Sequence, residues 1–288
     1  MTERGSNNFA LQAKSDQFFW EGTGQLSIKT FSRGSAFYKT TKGFFAVEEN
    51  RYLLLNEGDY TISIEDTCDV ESFCLFFKQN FAEEVSRSIE ESSDNLLSDP
   101  YKPLHPTGFF EKTYPKNKML CSQLEYFSNH LPTLKSDYLW QEEQFHKVMQ
   151  TILCTQRETW KEVDSLTSLR TSTREELYRR VNIAHDYIRA FYNRPIGLQE
   201  ISQIACLSPN HLLRNYTQLF GKTPHQHITE LRLSKAKQLL DLTGSSVIDI
   251  AFDIGFDTAS SFSKMFKQFT GISPTQYRKK RENRQVFF

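Results

Sequence analysis

Residues 247–278 read VIDIAFDIGFDTASSFSKMFKQFTGISPTQYR. The stretch lays out a short helix, a glycine turn, a second helix and a Gly-x-Ser-Pro start of a third. Ser246 stands before it as a cap, with Asp249 three residues on, a relative of the capping box. Val247, Ile250 and Ala251 recur at helical spacing and mark the inner face. Ala251 is small where two helices must approach closely. Gly255 accepts the positive φ of a tight turn, and Phe256 plugs the core beneath it. The second helix is expected over about 258–269, with Phe262, Phe266 and Phe269 inward. That leaves Ala259, Ser260, Ser263, Lys264 and Lys267 on the outside.

A weaker copy begins at Leu198. Leu212 falls on Phe262, Tyr216 on Phe266, Gly221 on Gly271, Pro224 on Pro274 and Gln226 on Gln276, each pair 50 residues apart (262 − 212 = 50). The two helix-turn-helix units are expected at about 198–221 and 247–271. In the first, Ser208 can cap and Pro209 sits at the first helical position, where its missing N–H costs nothing. Leu212, Tyr216 and Leu219 face inward. Asn210, Leu213, Arg214 and Thr217 are left on the outer face.

Between the units, Thr223-Pro224 starts a long helix to about Asp241, packed through Ile228, Leu231, Ala236, Leu239 and Leu240. A helix of about 18 residues is roughly 27 Å long, and one turn of B-DNA is about 34 Å. One stiff helix would therefore set two recognition helices in successive major grooves. Asn pairs with adenine, Arg and Lys with guanine, and Ala or Leu can meet a thymine methyl. Lys264, Lys267 and helix N-terminal amides suit phosphate. For any single residue an ordinary solvated face is an adequate account. For the set, repeated on two helices, it is not.

The whole chain of 288 residues has a formal net charge of +0, but the charge is unevenly placed. Residues 166–288 carry 18 Lys and Arg against 10 Asp and Glu, a net +8. Residues 1–165 carry 17 against 25, a net −8. A basic half joined to an acidic half points to nucleic acid for the basic part. The N-terminus has no apolar core of a secretory signal, and no apolar run approaches the ~20 residues of a membrane helix. Cys68, Cys74, Cys121, Cys154 and Cys206 form no CxxC pair. They read as free, buried thiols in a reducing compartment. A cytoplasmic location is expected.

Residues 26–77 alternate short runs rich in Phe, Tyr, Ile and Val with turns such as Asn56-Glu57-Gly58-Asp59. Strands are expected at 26–31, 36–39, 44–47, 52–55, 60–64 and 72–77, enough for a small barrel or sandwich. Residues 81–91 read as helix, 92–107 as loop and 109–114 as a returning strand. From Asn117 the period becomes helical. Leu120, Leu124, Phe127 and Leu131 form one apolar stripe, and Phe145, Met149 and Ile152 another near 137–163. These seams suit either a dimer interface or packing on the barrel. Residues 165–173 read as a linker. A capping box, Ser172 to Glu175, then opens a helix whose inner face is Leu177, Val181, Ala184, Ile188 and Phe191. The expected fold is α+β. A small β-barrel spans 1–116, a helical dimerisation segment 117–165, and an all-α domain 166–288 with its two units joined by the long helix.

Residues 171–282 resemble the DNA-binding domain of the AraC/XylS family of bacterial transcription regulators. The resemblance rests on Ile250-Ala251, Gly255-Phe256, Ser260-x-Phe262-Ser263, Phe266-Lys267 and Gly271-x-Ser273-Pro274-x-x-Tyr277-Arg278. Upstream it rests on Leu212-x-Arg214 and Arg232-Leu233-x-x-Ala236-x-x-Leu239-Leu240. It implies binding of double-stranded DNA by both units and promoter activation through RNA polymerase. It implies base contacts by Asn210, Leu213, Arg214, Ala259, Ser260, Ser263 and Lys264. The first unit departs from the family pattern. Tyr216 replaces the usual Phe, Thr217 a usual basic residue, and Ser202 and Cys206 stand where Ala and Gly are common.

In family members of this layout the N-terminal barrel is a reduced cupin that binds a small effector or mediates dimerisation. A homodimer and a small-molecule effector are therefore expected here by resemblance. Phe31, Phe44 and Tyr52 could line an effector pocket, though plain core suits them as well. The cupin metal motif is missing, and His105, His130 and His146 are scattered over loop and helix, so no metal, cofactor or catalytic residue is expected. His225 and His227 lie two residues apart and point to different helix faces. Two rival readings remain: a metal-independent catalytic barrel fused to a DNA-binding domain, and an architectural DNA binder without sequence preference.

Overall fold

A computed structural model describes residues 7–65, 69–99, 102–103, 107–167 and 170–285 of the chain, with side chains to 280. It divides into two compact units, Met1–Asp186 and Tyr187–Phe288. Cys68 and His105 lie outside the described residues.

The first unit holds the expected strands as β3 (Ser27–Arg33), β4 (Ser35–Thr40), β5 (Phe44–Glu48), β6 (Arg51–Leu55), β7 (Gly58–Ile64), β8 (Val70–Phe76) and β9 (Lys112–Pro115). Two more precede them, β1 (Phe9–Ser15) and β2 (Phe18–Gly24), in a region where the sequence reading placed no strand. The expected barrel is not closed. The strands form two antiparallel sheets, ordered β1-β8-β3-β6-β9 and β2-β7-β4-β5. Gly34, with φ 79°, breaks the ladder between β3 and β4 and hands the chain from one sheet to the other. The chain changes sheet again between β5 and β6.

Within the five-stranded sheet β6 is buried on both faces, which explains why Tyr52–Leu55 are apolar without alternation. Leu53 and Leu55 join Phe31, Tyr38, Phe45 and Val47 in one core. Tyr52 and Leu54 point the other way, into a second core with Phe73, Leu75 and the helices α1 (Phe81–Glu90), α3 (Lys118–His130) and α4 (Tyr138–Ser165). Asn117 and Asp137 cap α3 and α4 by accepting from the backbone N–H of Leu120 and Trp140. Leu120, Leu124, Phe127, Phe145, Met149 and Ile152 all lie in this second core. Phe127 meets Phe145 edge-on at 5.1 Å. Of the two uses open to this stripe, the chain spends it on its own sheet, and a dimer seam would need another face. A short helix, α2 (Ser93–Ser98), interrupts the expected loop, capped by Ser92.

Helix α5 (Thr171–Phe191) begins one residue before the expected capping Ser172. Its length through Asp186 belongs to the first unit, so the unit boundary falls later than the linker at 165–173. Specific contacts account for this. Tyr178 packs edge-on against Phe110 at 4.9 Å, and its hydroxyl accepts from Lys112 and donates to Glu162. Asp186, 1% exposed, accepts from the backbone N–H of Thr113 at 3.2 Å and from its hydroxyl at 2.5 Å. A buried carboxylate needs donors, and β9 supplies them.

The second unit continues with α6 (Leu198–Ile204), α7 (Pro209–Phe220), α8 (Pro224–Leu242), α9 (Val247–Asp253), α10 (Ala259–Thr270) and α11 (Pro274–Gln285). Ile250, Ala251, Ile254, Phe256, Phe262 and Phe266 pack under Leu233, Ala236 and Leu240 of α8 in one core.

Candidate nucleic-acid interface

The bounds of α7 and α10 differ by 50 residues at both ends (259 − 209 = 50; 270 − 220 = 50). Their local devices repeat as well. Ser208 accepts from the backbone N–H of His211, and Thr258 from that of Ser261. Gly221 and Gly271 end the helices in the left-handed conformation, with φ 68° and 83°. Thr223 and Gln226 form a full capping box at the start of α8, and Ser273 and Gln276 exchange the same bonds at α11.

The turns between the paired helices repeat with an offset of one less. Leu207 N–H donates to Ser202 O at 2.9 Å, and Phe256 N–H to Ala251 O at 2.9 Å, 49 residues later (256 − 207 = 49). Cys206 and Gly255 hold the left-handed position, with φ 52° and 88°. Asp257 is the extra residue before the second cap.

These frames turn one side of each second helix inward and the other outward. In α7, Leu212 and Tyr216 are fully buried, while Asn210, Arg214 and Thr217 are exposed and Leu213 is half-buried. Leu219 is half-buried rather than fully inward. In α10, Phe262 and Phe266 are fully buried, Ser260, Lys264 and Lys267 are exposed, and Ala259 and Ser263 are half-buried. Phe269, expected inward, is 46% exposed. It sits in the last turn of α10, past the reach of the α8 core. The predicted contact residues thus fall on one outer strip per helix. His211 and Gln268 are exposed on the same helices and were not singled out from sequence, because neither stands at a position the repeat marks as special.

The strips differ in what they offer a polyanion. Thr217 turns its hydroxyl back onto Leu213 O at 2.8 Å, whereas Lys267, 50 residues on, brings a cation to the last turn of α10. Helix α8, of 19 residues, is about 28 Å long at 1.5 Å per residue. His225 is exposed and His227 is buried, with Nδ1 at 2.5 Å from the Tyr216 hydroxyl. His227 is therefore a packing residue. Among the described residues no three His, Cys, Asp or Glu side chains gather as a metal site, and no helix is long and apolar enough to cross a membrane.

Residues 201–280 match the family described as a helix-turn-helix domain. An uncharacterized HTH-type transcriptional regulator of Staphylococcus aureus is 36% identical over 99 residues, which cover 34% of this chain and 13% of that protein. The HTH-type transcriptional regulator ArgR of Pseudomonas aeruginosa is 33% identical over 100 residues, covering 35% of this chain and 30% of its own length. The C-terminal domain of AraT, a response regulator from Geobacillus stearothermophilus, shares 33% identity and a TM-score of 0.35, over 35% of this chain and 85% of that one. The family match falls on the region that carries the repeated frames, and the chain spans less than a third of the length of these two curated relatives. Residues 201–280 of this chain carry a helix-turn-helix domain of the matched family.

Proposed function

We propose that the protein is a sequence-specific, DNA-binding transcription regulator that reads double-stranded DNA with α7 and α10 in two adjacent turns of the major groove. The observation that carries this reading is the repetition itself. Two capped helices, matched at both ends, each leave a polar or basic strip outside a sealed aromatic core. Asn210, Leu213 and Arg214 on α7, and Ala259, Ser260, Ser263 and Lys264 on α10, are assigned to base edges. Thr217 and Lys267, a turn further along, are assigned to the backbone. Regulation is assigned as activation through RNA polymerase, by a cytoplasmic homodimer under control of a small molecule bound to the first unit. The names of the matched relatives support the regulatory role.

Selection of bound fragments from random DNA, followed by a salt series on the selected site and a scrambled one, tests the reading. Specific binding should survive salt at which random binding has collapsed, because counterion release dominates the latter. Equal affinity for both sequences at every salt concentration would replace this reading with an architectural one.

A further inference from the structure

The two strands that the sequence reading missed line an open space in the first unit. Between the inner faces of the two sheets lies a cavity of about 1030 Å³, at the upper end of the roughly 300–1,000 Å³ of small-molecule sites. Phe9 and Leu11 of β1 and Phe18 of β2 line it, yet they remain 46%, 48% and 45% exposed. In a filled sandwich these alternate positions would be core. Trp20 and Ile62, cross-strand partners on β2 and β7, continue the apolar wall. Phe31 and Tyr52, weighed from sequence as pocket residues, are core instead and do not line it.

Lys29 faces this cavity and is 2% exposed. Its Nζ donates to the Tyr60 hydroxyl at 3.0 Å and lies 3.7 Å from the centre of the Phe76 ring. Its cross-strand neighbour is Cys74. Among the described residues no carboxylate pairs with it. Lys14, also on the wall, is held by Glu71 at 2.6 Å. Glu83, another wall residue, accepts from the Thr107 backbone N–H at 2.8 Å, and Glu57 is exposed. An ammonium offers three donors, and burying it without a counter-charge is costly. Burial lowers Lys29 to about 8, and an anion seated against it would favour the charged form. Apolar wall and lone buried cation are complementary to one kind of molecule.

We propose that this cavity binds an amphipathic organic acid, with its anionic head on Lys29 and Tyr60 and its apolar body along Phe9, Leu11, Phe18 and Trp20. The binding stands on the cavity alone; its use as a regulatory signal rests on the DNA-reading assignment above. Decanoate, decanol and decyltrimethylammonium share one apolar body and differ in head charge. Calorimetric titration of each into the full chain, without DNA, reads the site directly. Decanoate should bind at least tenfold more tightly than decanol, and the ammonium compound more weakly still. Lys29→Met should weaken decanoate at least tenfold and leave decanol within about twofold. The variant should melt no lower than the parent, since it loses a buried charge. The proposal is overturned if decanol matches decanoate on the parent, if Lys29→Met binds decanoate like the parent, or if no compound binds. Should Lys29→Met not melt cooperatively, the head-charge series on the parent decides alone. Because no DNA is present, a failure of DNA reading leaves these titrations unaffected.

Discussion

Cys206 and Gly255 occupy the same place in the two helix-turn-helix halves, the left-handed residue between the paired helices, with φ of 52° and 88°. The first half tolerates a side chain there and the second does not. At Cys206 the side chain is exposed. At Gly255 a Cβ would lie 2.5 Å from the carbonyl oxygen of Asn193. Arg232 holds that segment in place, donating to Tyr192 O at 2.7 Å and Arg194 O at 2.9 Å. The requirement for glycine thus comes from what packs over the turn as much as from the turn itself.

A second contrast lies in the core. Tyr216 meets His227 through a polar contact at 2.5 Å, whereas Phe266 meets Tyr277 ring to ring at 5.5 Å. The two pairs are at matching positions, 50 residues apart (277 − 227 = 50), with the phenol moved from one partner to the other.

The largest expected effect breaks the second turn. Gly255→Ala combines an unfavourable φ with the clash on Asn193 and should cost about 2–4 kcal/mol in urea unfolding. A loss below about 1 kcal/mol would mean the 192–194 segment moves aside freely.

Next come the outer strips. Arg214→Ala and Lys264→Ala should each cost about 1–3 kcal/mol on the selected DNA site and relax specificity at one base position apiece. Equal loss on scrambled DNA would reassign that residue to phosphate, and parental binding by both variants would remove the assignment from both helices.

A smaller difference should appear in the salt dependence. Lys267→Ala should lower the slope of log affinity against log salt by about 1, while Thr217→Ala should leave it unchanged. Identical slopes for the two variants would erase the distinction between a backbone-gripping second half and a lighter first half.

The smallest effect belongs to the first turn. Cys206→Gly should stabilise the protein by about 0.5–1 kcal/mol, because it relieves a non-glycine residue at positive φ. A destabilised variant would show that the cysteine side chain contributes more than its backbone conformation costs.

The C-terminal helices were legible because their signals are local. Ser208, Pro209, Gly221 and Thr223 each act on backbone groups within about four residues, as do Thr258, Gly271 and Ser273. Phe269 failed because helical spacing continues to the end of α10, whereas the core under it does not. In the first unit, β1 and β2 escaped notice because Phe9, Leu11, Phe18 and Trp20 face an open cavity, Phe19 is exposed, and the rest are polar or small. The barrel expectation followed strand count, which says nothing about where a ladder is interrupted.

By itself, then, the sequence determined the paired helix-turn-helix frame and the side of α7 and α10 that faces out. Helical period and end-capping are properties of neighbours along the chain. The tertiary structure decided what depends on residues far apart. It opened the expected barrel into two sheets, turned the α3 and α4 stripe onto Tyr52 and Leu54, drew α5 to β9 through Asp186 and Thr113, and set Lys29 beside Tyr60. Each of these is a pairing across many residues, and its energy exists only once the chain has brought both partners together.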